Sequence, residues 1–196
     1  MFKKHVKLYT MNKQQLEKLK QLRIDLEELM KEFVYLKYFF VELISDDLNG
    51  DSYDEVSWAY TNLVIAEKIE KSELKVNNAG LNKLIGELEK LIDNFTYYMD
   101  ELIKSVQSHL EYLKDELEKS TNETKYLISV VDLPNNIKTT ALESIERANK
   151  ALSHIDKIKS DNENINYEQI NDLINEIEDL IYMHKDLQKT IRTGVY

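Results

Sequence analysis

The side chains best able to do acid–base or metal chemistry here are His109, His154 and His184, each set within a helical apolar pattern, together with abundant carboxylates. A di-metal carboxylate bundle places glutamate three residues before histidine, because residues that far apart share a helix face and can ligate one centre. The residues at that spacing are Val106, Ala151 and Ile181, so the motif is absent. His184 falls on a seam position and His109 continues the register of another seam, which leaves both as metal-ligand candidates. The plainer reading is a histidine at the seam's edge, bonded to a neighbour or to water. A second oxygen-rich stretch, SDDLNGDSYDE at 45–55, offers Asp47, Asn49 and Asp51 to a cation. Against the pattern of a calcium loop starting at Ser45, Asp47, Asn49 and Gly50 fit, but the first ligand would be a serine and the closing bidentate glutamate is Val56. Helix capping competes: Ser52 and Glu55 form a capping box, and Asp51 and Asp54 suit the positive end of a helix.

Other chemistry finds less support. There is no Gly-x-Ser-x-Gly, no phosphate-cradling glycine loop and no His-Glu-x-x-His, and cysteine is absent, which excludes disulfides, thiolate metal sites and thiol nucleophiles. Carboxylate pairs such as Glu27 with Glu28, or Glu176 with Asp179, are what any solvated helix face displays. No catalytic residue and no cofactor is therefore expected. A net charge of −10, with arginine only at positions 23, 147 and 192, argues against direct nucleic-acid binding, which needs a basic footprint. An acidic chain more readily meets a basic surface.

No uninterrupted apolar run approaches the roughly 18 residues that span a bilayer. The opening MFKKHVKLYT carries basic residues without an apolar segment behind them, so no secretory signal is visible and a cytoplasmic location is the expectation.

The elements that would position these residues are helices. At 196 residues, with one proline and four glycines, the chain can encode few turns, and 42% hydrophobic with 32% charged residues is a folded composition. The pattern predicts an all-α, elongated, antiparallel bundle of about five helices in one domain, with coiled-coil-like heptads. An N-terminal arm at 1–11 precedes helices at 12–45, 53–77, 81–119, 134–160 and 166–192. Asn49–Gly50 is the strongest turn signal, and Asn77, Asn78 and Gly80 read as a helix stop. Residues 120–133 read as a short helix or bend: Ser120 and Thr124 hold the register from Leu117 to Leu127, but Ser120 with Glu123 also resembles a capping box, which favours a break. Helices 4 and 5 should pair through a short link, small residues such as Ala141, Ala148 and Ala151 facing large ones such as Ile170, Leu173 and Ile177.

Phe33 to Ile44 is the most apolar stretch, nearly every face being filled, which predicts burial all round or a partner surface. Tyr60 is expected to face inward on helix 2, with Trp58 and Ile65 widening its buried face. Twelve tyrosines are many for this length; Tyr35, Tyr38, Tyr97 and Tyr98, with Phe39, are either core aromatics or a partner-binding surface. The leading expectation is a non-enzymatic helical protein acting through a protein partner or self-association, as an adaptor, assembly component or inhibitor. A metal- or small-ligand-binding bundle is one alternative. Another is an acidic mimic of nucleic acid that occupies a basic cleft, as a viral or mobile-element product would.

Overall fold

Phe33 lies with its ring edge-on to Phe95 at 5.4 Å, and both side chains are fully buried, which marks the centre of the first of two cores. A computed structural model describes residues 13–40, 43, 46–160 and 166–194, and within them the chain is an all-α helical bundle protein. The helices are α1 (Lys13–Phe39), α2 (Asp46–Glu70), α3 (Asn78–Val130), α4 (Asn135–Ser160) and α5 (Tyr167–Thr193). The chain divides into two compact units, Met1–Ile103 and Lys104–Tyr196, and α3 supplies its first half to one and its second half to the other. The arm at 1–11, Asn12, Val41, Ile44, Ser45 and the link at 161–165 lie outside the described residues, as do the side chains of Asp47, Asn49 and Asp51.

In the first unit, α1 and α2 are antiparallel. Arg23 Nε meets Glu70 at 2.7 Å near one end of the pair and Lys37 Nζ donates to Ser52 Oγ at 3.0 Å near the other. The first half of α3 runs parallel to α1, with Gln15 bonded to Asn82 at 2.6 Å and Lys18 paired with Glu89 at 2.7 Å. The buried stripes are Leu19, Leu26, Met30, Phe33, Leu36 and Phe40; then Ala59, Leu63, Ala66 and Ile69; then Leu81, Leu84, Leu88, Leu91, Phe95, Tyr98 and Leu102. The heptad seam predicted for α3 is thus the buried one, and each large side chain removed from water stabilises the fold by about 1.5–3 kcal/mol.

Three predicted boundaries in this unit are wrong. Helix 1 ends at Phe39 instead of Ser45, Phe40 still donating to Leu36 O at 3.0 Å, and α2 already begins at Asp46. Asn49 and Gly50, read as a turn, have helical backbone instead. A glycine inside a helix costs only about 1 kcal/mol, which packing of α2 along α1 outweighs. Ser52, expected to cap helix 2, lies fully buried inside it against Lys37. At its other end α2 stops at Glu70 instead of Asn77. Glu73 N bonds Lys68 O at 2.8 Å and Ser72 N bonds Ile69 O at 3.0 Å, a Schellman closure with Ser72 left-handed at φ 61°. Asn77, read as part of a stop, is a start: its Oδ1 accepts from Gly80 N at 2.8 Å, capping α3.

The second unit repeats the three-helix plan. The second half of α3 runs parallel to α5, as His109 with Glu178 (3.5 Å) and Lys185 with Glu116 (3.9 Å) show, and α4 lies antiparallel to both: Leu133, just before it, packs with Leu127 and Ile191, whereas Asp156 towards its end bonds Lys114 at 2.7 Å. Small Ala141, Ala148 and Ala151 on α4 and large Ile170, Leu173, Ile177 and Leu180 on α5 are all buried, as the pairing of these helices requires. The predicted break at 120–133 does not occur: α3 continues to Val130. Ser120, which would have capped a new helix, bonds back to Leu117 O at 3.1 Å, and Thr124 bonds Ser120 O at 2.9 Å, so both hydroxyls are satisfied within an unbroken helix. After Val130 the chain folds Leu133 in with Leu127 and Ile191, and Pro134 accepts from Lys138 N at 3.0 Å to start α4. Helix α5 is closed at both ends: Asn166 Oδ1 accepts from Gln169 N at 3.2 Å, and Gly194 at φ 64° ends it.

Candidate functional site

Two groups of side chains could carry function, one on the surface of the first unit and one inside the second.

The surface group begins with the apolar stretch expected either to be buried all round or to carry a partner surface. The described part of the apolar stretch, Phe33–Phe40, is not buried on every face: Val34 is 43% exposed, Tyr35 48% and Tyr38 79%, while Phe33, Leu36 and Phe40 hold the core side. Phe39 is half-buried, with Tyr35 at 4.9 Å and Tyr38 at 5.4 Å packed edge-on to its ring. The reason is helical geometry: only one side of α1 meets α2 and α3, and aromatic residues at one-turn spacing on the other side can cover each other but cannot reach the core. Helix α2 shows the same thing. Tyr60, expected to face inward, is exposed, as are Tyr53 and Val64, and Trp58 lies exposed on the opposite flank instead of widening the buried face. Ala59, Leu63 and Ala66 are the buried side of α2, and Asn62, also buried, bonds its own helix at Trp58 O, 3.0 Å away.

These two exposed rows share a face. Along α1, Arg23, Glu27 and Lys31 look towards Glu70, Glu67 and Tyr60 of α2: Arg23 bonds Glu70, Glu67 acts electrostatically on Glu27, and Tyr60 acts on Lys31. One or two turns further, the same side of α1 presents Val34 and Tyr38, opposite the side of α2 that presents Tyr53, Tyr60 and Val64. Of the five partner-binding candidates, the structure thus brings Tyr35, Tyr38 and Phe39 together. Tyr97 stands exposed on α3, and Tyr98 belongs to the core, 5.9 Å from the ring of Phe33 and 6.0 Å from that of Phe95. Sequence reasoning does not single out Tyr53, Tyr60 and Val64 for this surface, because a heptad reading of α2 in the register of Ala59 and Ala66 places Tyr60 at the seam's edge.

Electrostatically the α1–α2 face is held by ion pairs. Lys31 donates to Glu27 at 2.8 Å, lifting the lysine's pKa and lowering the carboxylate's, and Lys71 does the same to Glu67 at 2.5 Å. Beneath the face, burial pushes the Lys37 ammonium below its usual range.

The interior group is a polar layer across the second unit. Ser120, Thr121 and Thr124 of α3, Ser144 of α4, and His184 and Gln188 of α5 are all buried. Gln188 Nε2 donates to Ser120 O at 2.9 Å and to Thr124 Oγ1 at 3.1 Å, and His184 Nδ1 lies 3.2 Å from Ser120 Oγ. Ser144 Oγ turns back onto Ala141 O at 2.8 Å. His184 Nε2 and Thr121 Oγ1 have no hydrogen-bond partner. Burial pushes the His184 imidazole below its ordinary pKa; a main-chain interaction with Ser144 opposes that and the charge of Lys125 adds to it. His184 is therefore a neutral core histidine, and His109, half-buried beside Tyr112, pairs loosely with Glu178. The spacing of Ser120 with Thr124, and of His184 with Gln188, places each pair on one helix face and is the signal for this layer.

Among the described residues no three of histidine, aspartate or glutamate gather closely enough to hold a metal ion. Helical backbone at Asp47, Asn49 and Asp51 also removes the loop in which they would have formed a calcium site. No helix among the described residues is long and apolar enough to cross a membrane. Compared with known proteins, the chain matches no family model, no curated protein and no solved structure.

Proposed function

We propose that the protein is non-enzymatic and acts by binding another protein through the outer face of the α1–α2 pair. The observation that carries this reading is the exposure of Val34, Tyr35, Tyr38, Tyr53, Tyr60 and Val64 on one face of two adjacent helices. Exposed apolar residues scattered singly need no explanation, whereas a contiguous patch rich in tyrosine has the composition of a recognition surface. Tyrosine suits such a surface because it supplies large contact area at a low cost in side-chain entropy and keeps a hydroxyl for water or a partner.

The test is comparative capture from a cell extract with immobilised wild-type protein, the Tyr38→Ser/Tyr60→Ser variant and a Tyr97→Ser control. Partners retained by the wild type and the control but lost by the double variant support the reading. Identical capture by all three overturns it, and so does a hydrolytic, transfer or redox activity abolished by replacing one buried polar residue.

A further inference from the structure

In the first unit, α1 and α3 meet in the core through large side chains, Phe33 against Phe95 and Tyr98. Their outer edge, turned away from α2, is marked by two exposed contacts, Gln15 with Asn82 and Lys18 with Glu89. Helical periodicity extends that edge. On α1, Asp25 and Glu32 follow Lys18 at heptad spacing, and on α3, Asp93, Thr96 and Asp100 continue the side of Glu89. Leu22, Leu29 and Ile92 lie half-buried beneath the two rows, so the trough between them has an apolar floor. No element among the described residues of this unit covers it. Two helices packed side by side leave a groove that one more helix fills, and an amphipathic helix docks by laying its apolar face on such a floor.

Charge decides what kind of helix. Asp25, Glu32, Asp93 and Asp100 on the two rims are exposed, and no ion pair among the described residues holds them; Asp25 accepts a hydrogen bond from Gln21 at 2.8 Å. Lys18, on the same row as Asp25 and Glu32, is engaged by Glu89. The other cations of these stretches belong to other sides. Arg23 and Lys31 lie towards α2, bonded to Glu70 and Glu27, and Lys20 shares their side, one heptad before Glu27. Lys90 falls in the row of Lys83 and Tyr97, on the back of α3. The α1–α3 trough thus carries one sign of charge, whereas the charges flanking the tyrosine-rich α1–α2 face balance. Like charges across an interface are costly, so an acidic occupant is rejected here and a cationic one favoured. A second copy of the chain, which carries −10, is repelled at long range for the same reason.

Beyond the tyrosine-rich face, we infer that the outer α1–α3 trough is a second binding surface of the first unit and that its occupant is a cationic amphipathic helix of a partner protein, with its apolar side on Leu22, Leu29 and Ile92. Its arginines or lysines lie towards Asp25, Glu32, Asp93 and Asp100.

Three synthetic amphipathic peptides sharing one leucine face test this, with arginine, glutamine or glutamate on the polar face, their binding to the full chain read by fluorescence polarisation at low and high salt. The arginine peptide should bind at least about tenfold more tightly than the glutamine peptide at low salt, and the ratio should collapse as salt screens the charges. Asp25→Asn/Glu32→Gln/Asp93→Asn/Asp100→Asn should erase the preference for arginine over glutamine while circular dichroism stays unchanged. Glu143→Gln/Asp172→Asn/Asp179→Asn/Asp186→Asn removes the same charge from exposed positions of the second unit and should keep the preference. Tyr38→Ser/Tyr60→Ser should bind the arginine peptide as the wild type does. A preference that survives the rim variant, or that falls equally in the second-unit control, overturns the inference. Loss of binding in the tyrosine variant puts the peptide on the α1–α2 face, which sinks the second surface and leaves the first standing. Tighter binding of the arginine peptide to Lys3→Gln/Lys4→Gln/Lys7→Gln makes the chain's own N-terminal residues the occupant, and a dimer in light scattering that the rim variant dissolves makes it a second copy; either result refutes a partner helix.

Discussion

His184 is fully buried between α3 and α5, with Nδ1 on Ser120 and Nε2 unpartnered, and the charge that acts on it, that of Lys125, opposes protonation. Its folded pKa is therefore depressed, chiefly by burial. Below the unfolded value of about 6.5 the unfolded chain binds a proton that the folded chain refuses, so this residue's contribution is complete above about pH 6.5 and declines as pH falls towards the folded value. The slope contributed by one such group is at most about 1.4 kcal/mol per pH unit. Carboxylates titrate lower still, and the histidine is isolated by comparing urea unfolding of the wild type and His184→Gln at about pH 7.5 and about pH 5.5. At the higher pH the variant should be the less stable of the two, having disturbed a packed polar layer. Between the two conditions the wild type should lose more stability than the variant, by an amount bounded by that slope. Parallel losses would refute the linkage, and a gain by the wild type relative to the variant would mean that an anion or acceptor reaches Nε2.

Three substitutions probe other parts of the structure. Ser72→Gly relieves a left-handed residue in the closure of α2 and should raise stability by about 1 kcal/mol in urea melts, since glycine bears no Cβ penalty there. Gly86→Ala lies on an exposed face within α3 with nothing within 4 Å of the added methyl, and should stabilise by about 1 kcal/mol on the same measurement. Phe33→Ala empties the centre of the first core and should cost about 3–5 kcal/mol, with loss of near-ultraviolet circular dichroism from the Phe33, Phe95 and Tyr98 cluster.

Much of the helical plan is legible in the residues. The seams of α3 and α5 read directly from leucine and isoleucine spacing, and Asn166 and Gly194 close α5 through their own chemistry. Where local signals compete with packing, packing wins. Asn49–Gly50 carries the strongest turn signal and sits in a helix, because burying Ser52, Ala59 and Leu63 in the first core outweighs one glycine. Ser120 and Glu123 spell a cap that is not used, because the hydroxyls of Ser120 and Thr124 bond within α3 and to α5. The surface candidate is half legible. Tyr35, Tyr38 and Phe39 stand out by type, but periodicity sends Tyr60 to the core and gives no reason to join Tyr53 and Val64 to them.

Range of interaction explains the difference. Periodicity and composition settle that helices form and which stripe of each is apolar, since both depend on residues within a turn or two of one another. How wide a stripe the neighbours will cover depends on how many helices meet it and from which side, and those neighbours are distant in sequence. For Phe33–Phe39 the residue types alone dictate an apolar helix end. It is the placement of α2 and α3 on one side of α1 that sends Phe33 and Leu36 into the core and leaves Val34, Tyr35 and Tyr38 in water.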